Sequence, residues 1–345
     1  ILKFFFYIII LLILSIAYLS YFGIETKKFN QLIKDKVLET NQNVSVEINE
    51  VKIILNLPDF TVGIKTEDPK LIFKNKKIKL REIESSFSIE SFLREEFSIK
   101  NLLIVTKENN LKDVISFMRV YRNTPQLFIL NQTIKDGILK TSINLNFDEK
   151  GNIIDDYRVD GSIKNAKINL LNQQIVQNIN LNFEINKKNY ILKNSNLKFN
   201  KIKLSSKKIS IHEKNKYFLI KGDFENANSL FSPDLLSIFF KKNYKDIDFK
   251  DLYFDSSNNF EFKINKKFKF SDIKFQSKID ISNLIYTKNI SSIKDYIPSY
   301  KNKILLKDQK VELKFDKKKL TLKGKGKFLI DEEYDNLNYE INFKD

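Results

Sequence analysis

A chain of 345 residues can build one large domain or two ordinary ones. It has no cysteine, which excludes disulfide staples, cysteine-ligated zinc, iron–sulfur clusters and a thiolate nucleophile. The formal net charge of +17 fits attraction to phosphates, but Lys comes with abundant Asn, Ile, Phe and Tyr and with little Gly, Pro or Arg, a bias that AT-rich coding produces whatever the function.

Residues 4 to 24, FFFYIIILLILSIAYLSYFGI, carry no charge. As a helix they span about 31 Å, close to the hydrocarbon thickness of a bilayer. The exit, Ser20-Tyr21-Phe22-Gly23-Ile24, offers interfacial aromatics and no small-x-small cleavage site, so a retained transmembrane anchor over residues 1–24 is expected rather than a cleaved signal. Phe5, Ile9, Leu12, Ile16, Tyr18, Tyr21 and Phe22 are its candidate membrane-contacting residues. Lys3 on one side and Lys27 and Lys28 on the other do not set the orientation, since residue 1 is Ile and a missing basic flank is expected.

Next, Phe29, Leu32, Ile33 and Val37 have the spacing of an amphipathic helix, predicted over residues 25–42 near the membrane surface. From Val44 the period changes to two. Val44, Val46 and Ile48 alternate with polar residues, as do Phe60 and Val62, then Ile143, Leu145 and Phe147, then Ile179, Leu181 and Phe183. Phe260, Phe262 and Ile264, and later Leu313 and Phe315, repeat the device. Short Asn-, Asp-, Lys- and Gly-rich connections predict antiparallel hairpin neighbours, with on the order of 16 strands in residues 43–345. Helical spacing interrupts the rhythm at 88–96, 110–121 and 229–242, and soft subdivisions are expected near 125 and 230.

An antiparallel sheet with one apolar face must cover that face with a second sheet, by closing into a barrel, with helices or with a ligand. At about 4.8 Å per strand an open sheet of this size is some 75 Å long, too long to stay flat. Periodicity leaves both a closed sandwich and an open trough possible. A trough suits acyl chains, because sheltering sixteen carbons is worth about 12 kcal/mol.

The order of elements in residues 1–105 resembles the AsmA-like envelope protein superfamily. An apolar helix and an amphipathic segment precede a strand pair, then the P-x-F-x-V strand at Pro58 to Val62, the E-D-P-K-L turn at 67–71 and a strand bearing Ile78 and Leu80. The S-I-E-S-F-L turn at 88–93 and F-S-I-K-N-L-L-I at 97–104 follow, and GILKTSINLNFDEKGNIIDDYRVDGSIKNAKINLLN resembles the later repeating part of such proteins. The resemblance implies a mainly β fold: a transmembrane helix, then an elongated antiparallel sheet curled into a U-shaped groove (β-taco) with a few short helices. It also implies a single pass in the bacterial inner membrane, a periplasmic body, and phospholipid moved toward the outer membrane. The alternating apolar residues named above would line the groove, and the partners would be membrane lipids with possible inner- or outer-membrane proteins. A second expectation is an envelope assembly factor that aids outer-membrane protein biogenesis without carrying lipid. The chain ends within an apparent strand, so continuation past Asp345 is also expected.

Catalysis finds little support. His212 is the single histidine and lies on the polar phase of its strand, while Asp155-Asp156 and Asp248/Asp251 read as turns or strand ends. Eight glycines leave hardly any material for a phosphate loop, and the aromatics occupy the inward phase of strands rather than a base-stacking surface. No enzyme, cofactor, metal site or nucleic-acid partner is expected.

Overall fold

The computed structural model describes residues 2–40, 42–73, 76–90, 99–148, 150–169, 174–231, 249–250, 252–267, 269–287, 294–298, 300, 303–330 and 332–344. The protein is mainly β, its strands forming one long antiparallel open sheet, with an apolar N-terminal helix and a few short helices. Helix α1 (Leu2–Tyr21) is long and apolar enough to cross a membrane, and none of its Lys3–Tyr21 stretch is buried. By contacts the chain divides into Ile1–Ile168 with Asn182–Lys187, and Asn169–Leu181 with Lys188–Asp345, so the division falls near neither 125 nor 230.

The first unit contains β1 (Ile24–Thr26), α2 (Asn30–Thr40), β2 (Val44–Glu47), β3 (Val51–Asn56), β4 (Thr61–Glu67), β5 (Lys70–Phe73) and β6 (Lys76–Ser88). It continues with β7 (Ile99–Thr106), β8 (Asn109–Asn110), α3 (Leu111–Tyr121), α4 (Pro125–Thr133), β9 (Ile134–Asn146) and β10 (Arg158–Asn169). Strands β1, β3, β4, β6, β7, β9 and β10 pair in that order. Hairpin neighbours do not always pair here: β2 joins β5, not β3, and β5 joins the start of β6. Burial decides this arrangement, since it brings Val46 and Ile48 onto one core with Val51, Ile64 and Phe87. Phe29, Ile33 and Val37 of the α2 region pack on the same core, with Leu71 and Ile99. Phe29, Ile33 and Val37 of the predicted amphipathic helix thus face the sheet.

Helix α3 follows the predicted 110–121 segment. Asn110 Oδ1 accepts from the backbone N–H of Lys112 at 3.0 Å and of Asp113 at 3.3 Å, and Leu111 and Ile115 are buried. Helix α4 was not expected; Thr124 Oγ1 caps it by accepting from Leu127 N at 3.3 Å, and Pro125 starts its first turn. The 88–96 segment lies largely outside the described residues, as does 232–242 of the third predicted helix, whose first residues Ser229 and Leu230 belong to a strand.

Strand β11 (Ile175–Asn186) is divided between the units at Leu181 and Asn182. The second unit continues with β12 (Asn189–Phe199), β13 (Ile202–Glu213), β14 (Tyr217–Leu230), β15 (Phe249–Lys250) and β16 (Tyr253–Asn265), then β17 (Phe270–Tyr286), β18 (Ile304–Asp316), β19 (Lys319–Leu329) and β20 (Tyr334–Lys344). Here the meander holds: β12, β13, β14, β16, β17, β18, β19 and β20 pair successively, and β15 adds to the end of β17. Twenty strands are present among the described residues where about 16 were counted, the surplus including the two- and three-residue β1, β8 and β15.

One strand of the first unit and several of the second share a device that plain alternation does not reveal. Asn165, Asn178, Asn194, Asn228 and Asp308 have positive φ inside strands, and the register shifts beside Asn165, Asn228 and Asp308. Asn and Asp tolerate this left-handed backbone best after Gly, so they are the residues that build such bulges. The inward phase moves by one at such residues: β12, whose pairing with β13 keeps its register, presents Tyr190 and Leu192 on one side of Asn194, and Ser195 and Leu197 on the other. In β18 the apolar series Phe315, Leu313, Val311 resumes beyond Asp308 at Leu306 and Ile304. One sheet face thus stays apolar although the alternation in the sequence slips.

Candidate apolar binding face

The register of the second unit sorts its side chains by face. Phe218, Ile220, Gly222 and Phe224 of β14 stand opposite Ile264, Phe262, Phe260 and Asn258 of β16. Phe260 then faces Phe275, which faces Phe315, which faces Leu320, which faces Phe343. A second row runs from Leu313 through Leu322 to Ile341. The alternate positions carry charged rows: Lys221, Glu261 and Lys274 form one across the strands, and Glu312, Lys323 and Glu340 another.

An apolar row of this kind would be sealed in a sandwich, but here it stays partly exposed. Phe260, Phe262, Ile264, Phe275, Leu313, Phe315 and Leu322 all retain accessible surface, and Ile341 and Phe343 are 43% and 51% exposed. Buried polar side chains of this unit include Ser195, Ser229 and Gln309 next to positive-φ residues, and Ser206 opposite Ser195. Gln309, only 3% exposed, donates through Nε2 to the carbonyls of Lys327 at 2.8 Å and Lys307 at 3.1 Å. Asn226 Nδ2 donates to Phe254 O and Asn258 Nδ2 to Phe224 O, both at 3.0 Å, so these buried amides serve the irregular backbone.

Aromatic rings pave the face where the backbone leaves room. Phe270, Phe262, Phe260 and Phe224 form a chain of ring contacts with centroid separations of 5.5, 5.7 and 5.2 Å. Gly222 sits beneath this ribbon: a Cβ there would come within 2.8 Å of Phe260 Cζ and 2.9 Å of Ile209 Cγ1. Tyr339 covers Gly324 in the same manner, and in the first unit Phe183 covers Gly161. Burial raises the Tyr339 hydroxyl above its ordinary pKa, which keeps it neutral beside the apolar row.

The polar face is matched rather than reactive. Glu261 accepts from Lys221 at 2.7 Å and Lys274 at 3.3 Å, and these contacts, Lys221 first, hold its carboxyl below the usual range. Lys263 and Asp272 pair at 2.7 Å, with Asp272 lowered and Lys263 raised. An open cleft of about 400 Å³ touches Lys221, Asn259, Glu261, Lys274, Gln276 and Lys314 as well as Phe260 and Phe275. Of the two acidic residues on the cleft, Glu261 is already neutralised by two ammoniums, and Asp316 lies beside the β18–β19 turn. Among the described residues no group of three or more His, Asp or Glu is placed to hold a metal ion. His212 Nδ1 lies 2.7 Å from Asn189 Oδ1, an atom that only accepts, so the ring donates there and is occupied structurally. Asp155 and Asp156 lie on an exposed connection, and Asp248 and Asp251 fall outside the described residues.

The predicted lining residues divide into three sets. Phe260, Phe262, Ile264, Leu313 and Phe315 share the partly exposed face of the second unit. Ile143 and Leu145 share a face of the first unit, opposite Ile104 and Leu102, and Phe183 lies over Gly161. Ile179 is buried at a bulge, Leu181 remains partly exposed, and Phe147 forms an isolated bridge with Ile153. The remaining members do not line an open groove. Val44, Val46, Ile48 and Val62 are buried core, Val44 with no exposed surface at all, because β2 and α2 close over that part of the sheet. Phe60 lies outside the strand phase altogether: it occupies a turn with positive φ and is 72% exposed. Ile220, Leu320, Leu322 and Ile341 also belong to the face; none was among the predicted lining residues, although Leu320, Leu322 and Ile341 alternate with polar residues in the sequence. The candidate anchor residues Phe5, Ile9, Leu12, Ile16, Tyr18, Tyr21 and Phe22 all keep exposed surface on or just after α1.

A scan against protein-family models and searches of curated proteins and of solved structures find no match to this chain.

Proposed function

We propose that this is a membrane-anchored carrier whose apolar sheet face shelters the acyl chains of phospholipid and conducts them, from an inner-membrane anchor through the periplasm toward the outer membrane. One observation carries the reading: many strands keep an apolar face partly exposed while the opposite face is largely polar and charged. Soluble proteins rarely leave large contiguous apolar surface open, and those that do use it for a partner, ligand or membrane. A second sheet would have closed this surface. Acyl chains fit it in size and chemistry, each sheltered methylene contributing about 0.8 kcal/mol. Helix α1 supports a membrane source for such a ligand.

The test is photocrosslinking of phospholipid bearing a reactive group on its acyl chain to the full-length protein, with Leu145→Asp, Phe183→Asp and Phe262→Asp as variants. Crosslinking should fall severalfold in each variant while the circular dichroism spectrum is kept. Undiminished crosslinking in folded variants would refute the carrier reading, and copurification with unfolded outer-membrane proteins without lipid would favour an assembly factor.

A further inference from the structure

The hairpins at one end of the second unit carry lysine doublets. Tyr217 faces Asn265, which sets the β13–β14 turn with Lys214 and Lys216 beside the β16–β17 turn with Lys266 and Lys267. The β18–β19 turn, with Lys317 and Lys318, points to the same end, since Phe275 faces Phe315 and Asp316 faces Lys319. All six lysines are exposed, and none forms an ion pair among the described residues. Glu213, Asp272 and Asp316 share this end, but Asp272 is already bound to Lys263, so positive charge is in excess. At the other end of the strands the described connections are mixed, Lys201, Lys294 and Lys303 standing against Asp295, Glu332 and Glu333.

The basic end adjoins the aromatic ribbon. Phe270, 62% exposed, lies next to the β16–β17 turn, and from it the rings of Phe262, Phe260 and Phe224 lead into the apolar face. Charge at one end and hydrocarbon contact running away from it complement an amphiphile with an anionic head and an apolar tail. We infer that this end seats the headgroup of a net-anionic phospholipid whose acyl chains lie along Phe270, Phe262 and Phe260. The inference rests on the carrier reading and adds to it a choice among lipids.

The experiment uses the full chain in uncharged detergent, titrated with acyl-labelled phosphatidylglycerol or phosphatidylcholine. Phosphatidylglycerol should bind about tenfold more tightly at low salt, as one or two lysines near a headgroup provide. The combined variant K214Q/K216Q/K266Q/K267Q/K317Q/K318Q, altered only at exposed turns, should bind both lipids as the parent binds phosphatidylcholine. Excess glycerol 3-phosphate, which has the phosphate without the chains, should leave bound lipid in place. Equal binding of the two lipids by the parent, a preference surviving in the variant, or displacement by glycerol 3-phosphate would each overturn the headgroup assignment while lipid capture stands. Capture of neither lipid would remove the carrier reading and this inference with it.

Discussion

Phe262→Asp and Leu80→Asp test whether the apolar face is open. Leu80 is 2% exposed in the first unit, so aspartate there loses roughly 1.5–3 kcal/mol of leucine burial and adds several kcal/mol for a carboxylate with no route to water. A cost of about 5 kcal/mol is comparable with the whole stability of an ordinary domain. Phe262 is partly exposed and gains its support from Phe260 and Phe270, at 5.7 and 5.5 Å. Losing part of its burial and two ring contacts costs about 2 kcal/mol, and the new carboxylate reaches solvent. In urea titrations followed by far-ultraviolet circular dichroism, Phe262→Asp should lower the midpoint by roughly 1 M, and Leu80→Asp by at least twice that or to outright loss of the folded baseline. Equal damage by the two substitutions would show that the face is a sealed core, and the argument for a ligand on it would fail.

Gly324→Ala should destabilise by about 1–3 kcal/mol, since the added methyl overlaps the Tyr339 ring, and Tyr339→Ala in the same chain should recover much of that loss in a double-mutant cycle of thermal melts. At the positive-φ position in β12, Asn194→Gly should change the melting temperature little, whereas Asn194→Val should cost about 1–2 kcal/mol because valine resists positive φ. The Glu82 carboxyl is held below the usual range by hydrogen bonds from Arg81 and, next, from Lys65 at 2.9 Å. A depressed carboxylate stabilises above its unfolded-state value, and this contribution is lost as pH falls through the folded-state value. Melting temperature should therefore drop below about pH 4, and drop less steeply in Glu82→Gln. Thr124→Ala should loosen α4 by about 1 kcal/mol, read as faster amide exchange at Leu127.

Where one physical signal dominates, the sequence reading and the structure coincide. The uncharged run forms α1, the Leu111, Val114, Ile115 and Met118 spacing forms α3, and period-two runs form strands. Alternation within a strand is a local property, and it survives folding. Pairing is not local: β2 reaches past β3 to β5 because its valines belong to the α2 core, a contact that no short-range pattern encodes. Openness is not local either. Val46 and Phe262 have the same alternation, yet one is sealed and the other partly exposed, and only the elements packed above each strand make the difference. The phase slips were visible as an Asn or Asp inside an apolar series, but such residues also mark turns, and in Lys164-Asn165-Ala166 the turn and the bulge look alike. Thr124-Pro125 was a legible helix start, overlooked because the run after it, from Gln126 to Thr133, lacks helical amphipathicity.

The half-step corrections inside the strands bear on how such a chain can change length. Dropping a single residue on either side of Asn194 or Asp308 would turn part of a strand inside out, exchanging grease for charge along one stretch of the surface. Adding or removing a complete hairpin together with its own correction would leave every other strand in step. Inheritance should therefore tolerate growth by whole pairs of strands and resist it by single codons, so that the reach of the protein is adjustable in coarse increments.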